Sequence, residues 1–452
     1  MEMAVELILV LLHHWLLFLH AGATPGHHGG VRLGCQTAAL LQWKSTLRTS
    51  PPALASWRQG TSPCTSNWTG VTCGAVHWGR RRRRRHREPL AVTGISLPFA
   101  GLDGRLGELN FSALPFLTHV NLAFNSLHGE IPLAIASLPA LSILDLAGNG
   151  LHGSIPSELG SMRRLTQLGL FSNNLTGRIP ASLGNLTTLV ALVTTKNLLA
   201  GPIPGELGKL TGLKALELGD NFLSGRIPES FGNLTQLNTL YLFSNTLSGP
   251  IPAFLGNLRK LRDLELGTNR FSSEVPAALS NLTELDVLDL IEKELTGSIP
   301  HEIGFLPNLS VLVLYSNRLS GAIPASLGNL TMLNHLDLFD NQLVGSIPAE
   351  LGALMDLHTM SLPSNMLSGS VPATFGNLTA MRKLFLFDNR LSGPLPREFF
   401  NLTDLAVLNL SNNSLSGELP SNACKGRNLQ MYLVFTNMFT GSIPRDLKSV
   451  GA

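Results

Sequence analysis

The sequence predicts an α/β solenoid, with a parallel β-sheet on the concave face and short 3-10 or helical turns on the convex side. The first reason is a proline that recurs every 24 residues, always after Ile, Val or Leu. A fixed period of this length means that each unit buries its apolar face against the next unit. The recurring prolines are Pro132, Pro156, Pro180, Pro204, Pro228, Pro252, Pro276, Pro300, Pro324, Pro348, Pro372, Pro396, Pro420 and Pro444.

The second reason is the pattern inside each unit, shown by residues 213–236. Leu216 and Leu218 alternate with exposed positions, which predicts a short strand. Asn221 then turns the chain inward, where its amide can bond the backbone of neighbouring turns. Gly225 allows an unusual dihedral angle, and Pro228 needs no hydrogen bond. The equivalent asparagines are at 125, 149, 173, 197, 221, 245, 269, 317, 341, 365, 389, 413 and 437.

With an irregular first unit at 92–106, the chain contains fifteen predicted strands. At about 4.8 Å per strand, the sheet follows an arc of about 70 Å. Its inner face presents exposed side chains on every turn, which makes it the predicted binding surface. Two neighbouring units break the pattern, because Ser273 replaces the glycine and Lys293 replaces the asparagine. We expect Lys293 to swing outward and distort its turn; sequence drift or a functional kink would explain these changes.

The N-terminal part divides into four segments before the repeats of 92–452. Residues 1–23 read as a signal peptide, since an apolar stretch precedes a small-residue cleavage site. Residues 24–34 form a predicted flexible segment, and residues 35–74 a compact unit whose helix carries Leu40, Trp43 and Leu47 on one stripe. Residues 75–91 form a polar insertion with the run Arg80 to Arg85. We predict a disordered, solvated loop there; binding to acidic wall polysaccharide and protease cleavage are the alternatives.

The motif LxxLxLxxNxLxGxIPxxLGxL resembles the plant-type leucine-rich repeat. The stretches ALLQWKSTL, LASW and PCTSNWTGVTC are similar to the N-terminal cap of plant leucine-rich-repeat receptor-like kinases. The resemblance implies a twisted superhelix, a Cys64–Cys73 disulfide and a peptide or protein ligand on the inner face. It also implies a second cap, a membrane helix and a cytoplasmic kinase in a full-length relative. The chain stops within a repeat, so we expect a truncated product or a short receptor-like protein that a partner caps.

Several function classes are disfavoured by the sequence. It has no DFG, HRD or kinase-type glycine loop, so we expect no enzyme activity from this chain. We also expect no cofactor and no metal, because no second cysteine or histidine pair accompanies Cys64 and Cys73; Cys35 and Cys424 have no obvious mates. The net charge of +3 comes from the arginine run, and without that run the chain is mildly acidic. The chain therefore has no generally basic surface for nucleic acid. Beyond the signal peptide we expect no membrane segment.

The concave face carries aromatic and acidic residues. The aromatic residues either pack on each other or form an apolar ridge for a ligand. The acids either solvate the face or match a basic peptide. The wider acidic set also includes Asp145, Glu292, Asp337, Asp340 and Asp388, against only Lys196 and Lys383 as bases. The predicted ligand-binding residues are Phe171, Glu217, Asp220, Tyr241, Phe243, Asp263, Glu265, Asp289, Tyr315, Phe339 and Phe387.

Twelve Asn-x-Ser/Thr sequons predict a glycoprotein. Those at 185, 233, 281, 329 and 377 fall on one flank in alternate turns, which would leave the inner face open. Asn409 lies on the concave strand, where a glycan would obstruct the C-terminal end and favour a central site. The sequons are Asn67, Asn110, Asn174, Asn185, Asn233, Asn281, Asn308, Asn329, Asn377, Asn401, Asn409 and Asn412.

The sequence therefore predicts the extracellular, ligand-sensing region of a plant receptor-like kinase, secreted or on the cell surface. The resemblance implies a shorter leucine-rich-repeat co-receptor kinase as a partner. The alternative is a soluble leucine-rich-repeat inhibitor of cell-wall-degrading enzymes such as polygalacturonase.

Overall fold

Stacked turns of the chain build two parallel sheets joined by short 3-10 segments. The computed structural model describes residues 33–49, 51–76, 89–291, 294–419 and 428–442. The predicted signal peptide, most of the predicted segment 24–34, the arginine run, Glu292, Lys293 and Cys424 lie outside these residues. Strands are numbered in chain order through the described residues, so the even numbers from β2 lie in the concave sheet and the odd numbers from β3 in a second sheet.

The concave sheet contains the fifteen predicted parallel strands and one more. The additional strand, β1, pairs antiparallel with β2 and comes from the N-terminal unit. All other neighbours are parallel and in register with the 24-residue period, so Leu216 pairs with Leu192 and Leu240. The strands are β1 Val71–Ala75, β2 Leu90–Ser96, β4 His119–Asn121, β6 Ile143–Asp145, β8 Gln167–Gly169, β10 Ala191–Val193, β12 Ala215–Glu217, β14 Thr239–Tyr241, β16 Asp263–Glu265, β18 Val287–Asp289, β20 Val311–Val313, β22 His335–Asp337, β24 Thr359–Ser361, β26 Lys383–Phe385, β28 Val407–Asn409 and β30 Met431–Leu433.

A second parallel sheet, absent from the sequence prediction, follows the repeat asparagines. Within the described ranges it has nine strands from β3 to β19 and six strands from β21 to β31. The two parts meet at the irregular units, where only an isolated bridge joins Ser298 to Ser320. The strands are β3 Asp103–Arg105, β5 Ser126–Glu130, β7 Gly150–Ser154, β9 Asn174–Gly177, β11 Leu198–Pro202, β13 Phe222–Gly225, β15 Thr246–Pro250, β17 Arg270–Glu274, β19 Leu295–Thr296, β21 Ser320–Gly321, β23 Gln342–Ser346, β25 Met366–Gly369, β27 Arg390–Pro394, β29 Ser414–Glu418 and β31 Met438–Thr440.

Short 3-10 segments form the convex side, as the sequence predicts. In the regular repeats the recurring proline lies just before the segment, with φ near −65°, for example −65° at Pro324. The segments are Pro52–Leu54, Leu106–Glu108, Phe111–Ala113, Leu133–Ser137, Ser157–Ser161, Ala181–Asn185, Gly205–Lys209, Glu229–Asn233, Ala253–Asn257, Ala277–Asn281, His301–Phe305, Ala325–Asn329, Ala349–Ala353, Ala373–Asn377 and Arg397–Asn401.

The N-terminal unit closes the first turn of the solenoid. Its helix α1, Leu33–Thr46, begins two residues before the predicted boundary of this unit. Three tryptophans form its core, with Trp57 stacked on Trp68 at 5.3 Å between ring centroids and tilted against Trp43 at 6.4 Å. The disulfide Cys64–Cys73 is present, which confirms the pairing. With these aromatic side chains buried inside it, the N-terminal unit covers the apolar end of the repeat stack.

This unit is also tied to the first repeat by backbone pairing. Ala75 pairs with Leu90, and Gly74 with Ala91, so both ends of the predicted insertion 75–91 belong to the β1–β2 pair. The buried side-chain oxygen of Gln36 accepts a hydrogen bond from the Val92 N–H at 2.9 Å. The repeats thus begin with a hydrogen-bonded neighbour on their N-terminal side.

The glycine of each Leu-Gly pair on the convex side sets how closely two turns can stack. A Cβ added at Gly328 would lie 2.6 Å from the carbonyl carbon of Glu350 in the next turn, which is closer than real contacts allow. At Gly232 the nearest atom to an added Cβ would be a side-chain carbon of Phe254, at 3.6 Å. Glycine is therefore required at position 328, whereas position 232 has room for a larger side chain.

We predict that Gly328→Ala lowers the stability by about 1–3 kcal/mol, because the methyl group forces the two turns apart. Gly232→Ala is the matched control, since the added methyl makes only ordinary contacts there. Thermal or urea unfolding of both variants and the unmodified chain measures the difference. Equal midpoints for the two variants would show that close stacking of the convex turns does not limit stability.

Candidate functional site

Three of the predicted acidic residues, Glu217, Glu265 and Asp289, share one line of adjacent strands with Tyr241. We call the third residue of each concave strand from β4 onward, four residues before the repeat asparagine position, the central column. Strand pairing places Glu217 beside Tyr241, Tyr241 beside Glu265, and Glu265 beside Asp289. We call these four residues the acidic segment. Neighbouring positions are about 4.8 Å apart, so carboxylates two strands apart lie within about 10 Å of each other.

The short side chains of the central column have a structural task. Asp145, Asp289 and Asp337 each accept a hydrogen bond from the backbone N–H two residues further on, at 3.1, 3.0 and 3.0 Å. Asn121 and Asn409 make the same bond. A side-chain oxygen at this position thus satisfies the backbone where the strand ends. These five residues are explained by the fold alone.

Glu217 and Glu265 do not share this task. Their carboxylates make no hydrogen bond or ion pair within the described part of the chain. Glu217 is only 8% exposed, and so is Tyr241 next to it. The prediction that concave side chains are exposed is therefore wrong at these two positions, because neighbouring strands cover them. A carboxylate with so little exposure to water is costly to ionise, and a cationic group from outside would relieve that cost.

Burial and mutual repulsion raise the pKa values throughout the acidic segment. Burial, and to a smaller extent the charge of Asp263, raise the pKa of Glu217 to about 7. Burial, then the charges of Asp289, Asp263 and Glu217, raise the pKa of Glu265 to about 8. The pKa of Asp289 rises to about 6 through burial, against the lowering effect of its Ile291 hydrogen bond.

Tyr241 lies at the centre of this group. Burial raises the pKa of its hydroxyl, and the charges of Glu265, Asp263 and Glu217 raise it further. Asp263, on the neighbouring position of β16, is half-buried and acts on both glutamates as well. Four carboxyl groups therefore act on one small, largely buried region of the concave face. Arg262, adjacent in sequence to Asp263, forms an exposed pair with Glu284 at 3.4 Å.

Asp220 has a different setting from the other predicted acids. It is exposed and has a φ of +50°, in the left-handed region. In the described turns from Phe124 to Thr436, the residue before the repeat asparagine has a φ of +49° to +61°. Aspartate tolerates this region better than most residues, so the backbone explains the residue type. Asp340 and Asp388, elsewhere in the acidic set, occupy the same position with φ values of +55° and +53°.

The predicted aromatic residues form two separate pairs. Tyr241 contacts Phe243 with 6.0 Å between ring centroids, and Tyr315 contacts Phe339 at 6.3 Å. The Phe243 ring also lies over Gly219, where an added Cβ would be 2.8 Å away from it. Phe171 and Phe387 are half-buried at the same repeat position, three turns before Phe243 and two turns after Phe339 respectively. Sequence reading by column also missed Ile291 and Pro363, which occupy that position in the intervening turns.

The sequons at 185, 233, 281, 329 and 377 end convex 3-10 segments. Their asparagines are exposed, as are Asn67, Asn110 and Asn401. Asn409 is half-buried in β28, and its side-chain oxygen accepts bonds from Ser411. Glycosylation at these positions remains a prediction, and the convex sites would leave the acidic segment uncovered.

Three family models match the chain. The leucine-rich repeat N-terminal domain matches residues 34–74, and the leucine-rich repeat region matches residues 253–371. The leucine-rich repeat model itself matches 140–162, 164–186, 212–234, 236–258 and 404–425. The chain belongs to the leucine-rich-repeat proteins. The cap and repeats of this leucine-rich-repeat chain are of the type found in plant receptor-kinase ectodomains, a part that contains no catalytic domain.

Two of the curated proteins similar to this chain are receptor kinases of Arabidopsis thaliana. Pollen receptor-like kinase 6 of Arabidopsis thaliana is 31% identical over 97 residues, 22% of this chain and 13% of the relative. The receptor-like serine/threonine-protein kinase GSO2 of Arabidopsis thaliana is 37% identical over 131 residues, 28% of this chain and 9% of the relative. The matched parts thus span about a tenth of these curated relatives.

Two solved structures extend the similarity along most of the chain. The plant peptide hormone receptor RGFR1 in complex with RGF2 is 33% identical, with a TM-score of 0.74, over 85% of this chain and 62% of that one. PEPR1–AtPEP1 is 33% identical, with a TM-score of 0.75, over 92% of this chain and 64% of that one. None of the described helices is long and apolar enough to cross a membrane.

The raised pKa values predict a loss of stability as the pH rises. Between the ordinary glutamate pKa of 4.5 and the raised values of about 7 and 8, the folded chain keeps protons that the unfolded chain releases. Each such group lowers the free energy of unfolding by up to about 1.4 kcal/mol per pH unit across this window. We expect the melting temperature to fall from pH 5 to pH 8, and to fall less in Glu217→Gln/Glu265→Gln.

The matched control is Glu206→Gln/Glu350→Gln, which changes two exposed carboxylates on the convex side. It should keep the full decline of the melting temperature with pH. The same decline in all three proteins would mean that the two central-column glutamates ionise as freely in the folded chain as in the unfolded one.

Proposed function

We propose that this chain is the extracellular ligand-sensing region of a plant receptor-like kinase, and that it binds a peptide or protein ligand at the acidic segment. The observation that carries the proposal is the Glu217 carboxylate, which is 8% exposed and has no partner within the described residues. A structural role would provide it with a hydrogen bond, as it does for Asp289. A ligand would provide the partner instead.

The ligand that best matches this site is basic. Glu217, Asp263, Glu265 and Asp289 raise each other's pKa values or that of Tyr241, so a lysine or arginine side chain would lower the energy of several groups at once. Tyr241 and Phe243 add aromatic surface beside these carboxylates, which suits the alkyl part of such a side chain and a cation–π contact.

Signalling would pass to a kinase domain outside this chain, at the cell surface, together with a shorter leucine-rich-repeat co-receptor kinase. The similar solved structures named for their peptide ligands support a peptide as the ligand class. The similar curated proteins are named as receptor kinases rather than enzyme inhibitors, which favours the receptor over a polygalacturonase inhibitor.

The test is selection from a phage library of random 14-residue peptides on the secreted chain. We expect the recovered peptides to be enriched in lysine and arginine on the unmodified chain. Glu217→Gln/Glu265→Gln should lose this enrichment, whereas the convex control Glu206→Gln/Glu350→Gln should keep it. Recovery of peptides without a basic bias, or with a bias that survives the central-column substitutions, would reject the acidic segment as the binding site.

A further inference from the structure

An apolar ridge begins where the acidic segment ends. It consists of the residues two positions before the repeat asparagine in five consecutive turns. The members are Ile291, Tyr315, Phe339, Pro363 and Phe387. All are half-buried except Pro363, which is buried. Ser411, which is 2% exposed, stands at the same position in the next turn and ends the ridge.

The backbone holds the members of the ridge one turn apart. The N–H of Ser316 donates to the Phe339 carbonyl at 2.8 Å, and the N–H of Asp340 donates to the Pro363 carbonyl at 3.0 Å. The N–H of Ser364 donates to the Phe387 carbonyl at 3.1 Å. With turns spaced by about 4.8 Å, the ridge is about 19 Å long, which corresponds to about six residues of an extended peptide.

The other side of the acidic segment has no such ridge. On that N-terminal side, Thr195 and Ala147 flank the single aromatic residue Phe171 at the same repeat position. Within the acidic segment the position is held by Gly219, Phe243 and Gly267, and the Phe243 ring fills the space over Gly219. The concave face is therefore asymmetric along the solenoid. Its acidic segment lies over β12 to β18, and its apolar ridge extends from the end of β18 to the turn after β26.

We propose that the ligand of this chain is an extended peptide with two chemically distinct parts. A lysine or arginine binds the acidic segment, and a neighbouring apolar stretch lies along the ridge toward Phe387. This inference rests on the proposed function, because the acidic segment supplies the charge complementarity that fixes one end of the peptide. Half-buried aromatic residues in a line supply the apolar contact surface for the rest.

The turn spacing sets the separation of the two parts. Tyr315 lies two turns beyond Glu265, at about 10 Å, which about three residues of an extended peptide cover. Phe387 lies three turns beyond Tyr315, or about four further residues. The peptide should therefore carry its basic residue about three positions from the start of an apolar stretch of four to six residues.

The same random 14-residue phage library tests this pattern on further variants. On the unmodified chain we expect to recover peptides with a basic residue about three positions from the start of an apolar stretch. Tyr315→Ser/Phe339→Ser should keep the basic residues but lose the apolar stretch, and should bind a synthetic copy of the recovered consensus about tenfold more weakly. Tyr315→Leu/Phe339→Leu should bind it nearly normally, because an apolar surface remains.

The matched control is Phe435→Ser, at the same repeat position but beyond Ser411, with Phe435 58% exposed. It should select the same peptides as the unmodified chain. If the unmodified chain selects basic peptides that lack an apolar stretch, the ridge is not part of the binding site, and the proposed function still stands. Absence of basic enrichment would overturn the proposed function itself. An apolar stretch that depends on Phe435 but not on Tyr315 and Phe339 would place the contact elsewhere and overturn the ridge.

The melting temperature of Tyr315→Ser/Phe339→Ser is measured first, to establish that this variant is folded at the assay temperature. If it unfolds below the assay temperature, the single variants Tyr315→Leu and Phe339→Ser replace it. Loss of the apolar stretch in Phe339→Ser, with no loss in Tyr315→Leu, supports the ridge, and equal selection by both variants overturns it.

Discussion

The asparagine ladder is the interaction on which the solenoid depends. Asn341 shows the arrangement: its side-chain oxygen accepts a hydrogen bond from the Leu319 N–H at 3.0 Å, and its amide nitrogen donates to the Leu314, Leu338 and Phe339 carbonyls at 3.0 to 3.2 Å. One side chain thus satisfies a donor and three acceptors in two successive turns. Without it, the inward turn would bury unpaired backbone groups. The same pattern extends from Asn125 to Asn437 where the chain is described.

The ladder also decides which residues on the concave face are free for function. It places the preceding residue in the left-handed region, so the small polar residues there, such as Ser316 and Asp340, follow from backbone geometry. At the central column, short acids and amides are used to bond the chain where the strand ends. Glu217 and Glu265 are longer and have no such use. The acidic set from the sequence is therefore not uniform, and two glutamates remain to be explained by a ligand.

The sequence was sufficient for the concave sheet because its signals are local and repeated. The Leu216/Leu218 alternation, Asn221 and Pro228 recur with so little variation that strand number and register follow directly. The second sheet was missed because its strands, such as Phe222–Gly225, are short and end in a glycine at φ +80°, which reads as a turn. The burial of Glu217 could not be predicted either, because it depends on Val193 and Tyr241 from other turns.

The irregular repeats show which face of the solenoid keeps its geometry. Ser273 adopts a φ of +79°, whereas every equivalent described position has glycine. For a residue other than glycine, this backbone conformation costs about 1 kcal/mol or more. The second sheet is interrupted nearby, and only hydrogen bonds such as that from the Ser320 N–H to the Gly297 carbonyl, at 2.8 Å, join its two parts. The concave sheet continues without a shift, with Asp289 paired to Val313. Ser273 and the Glu265 carboxylate thus belong to one turn, in the second sheet and in the intact concave sheet respectively, and Glu217 lies two turns away. Departures from local rules are expected where a protein gives up stability for function, and these turns are where the acidic segment meets the apolar ridge.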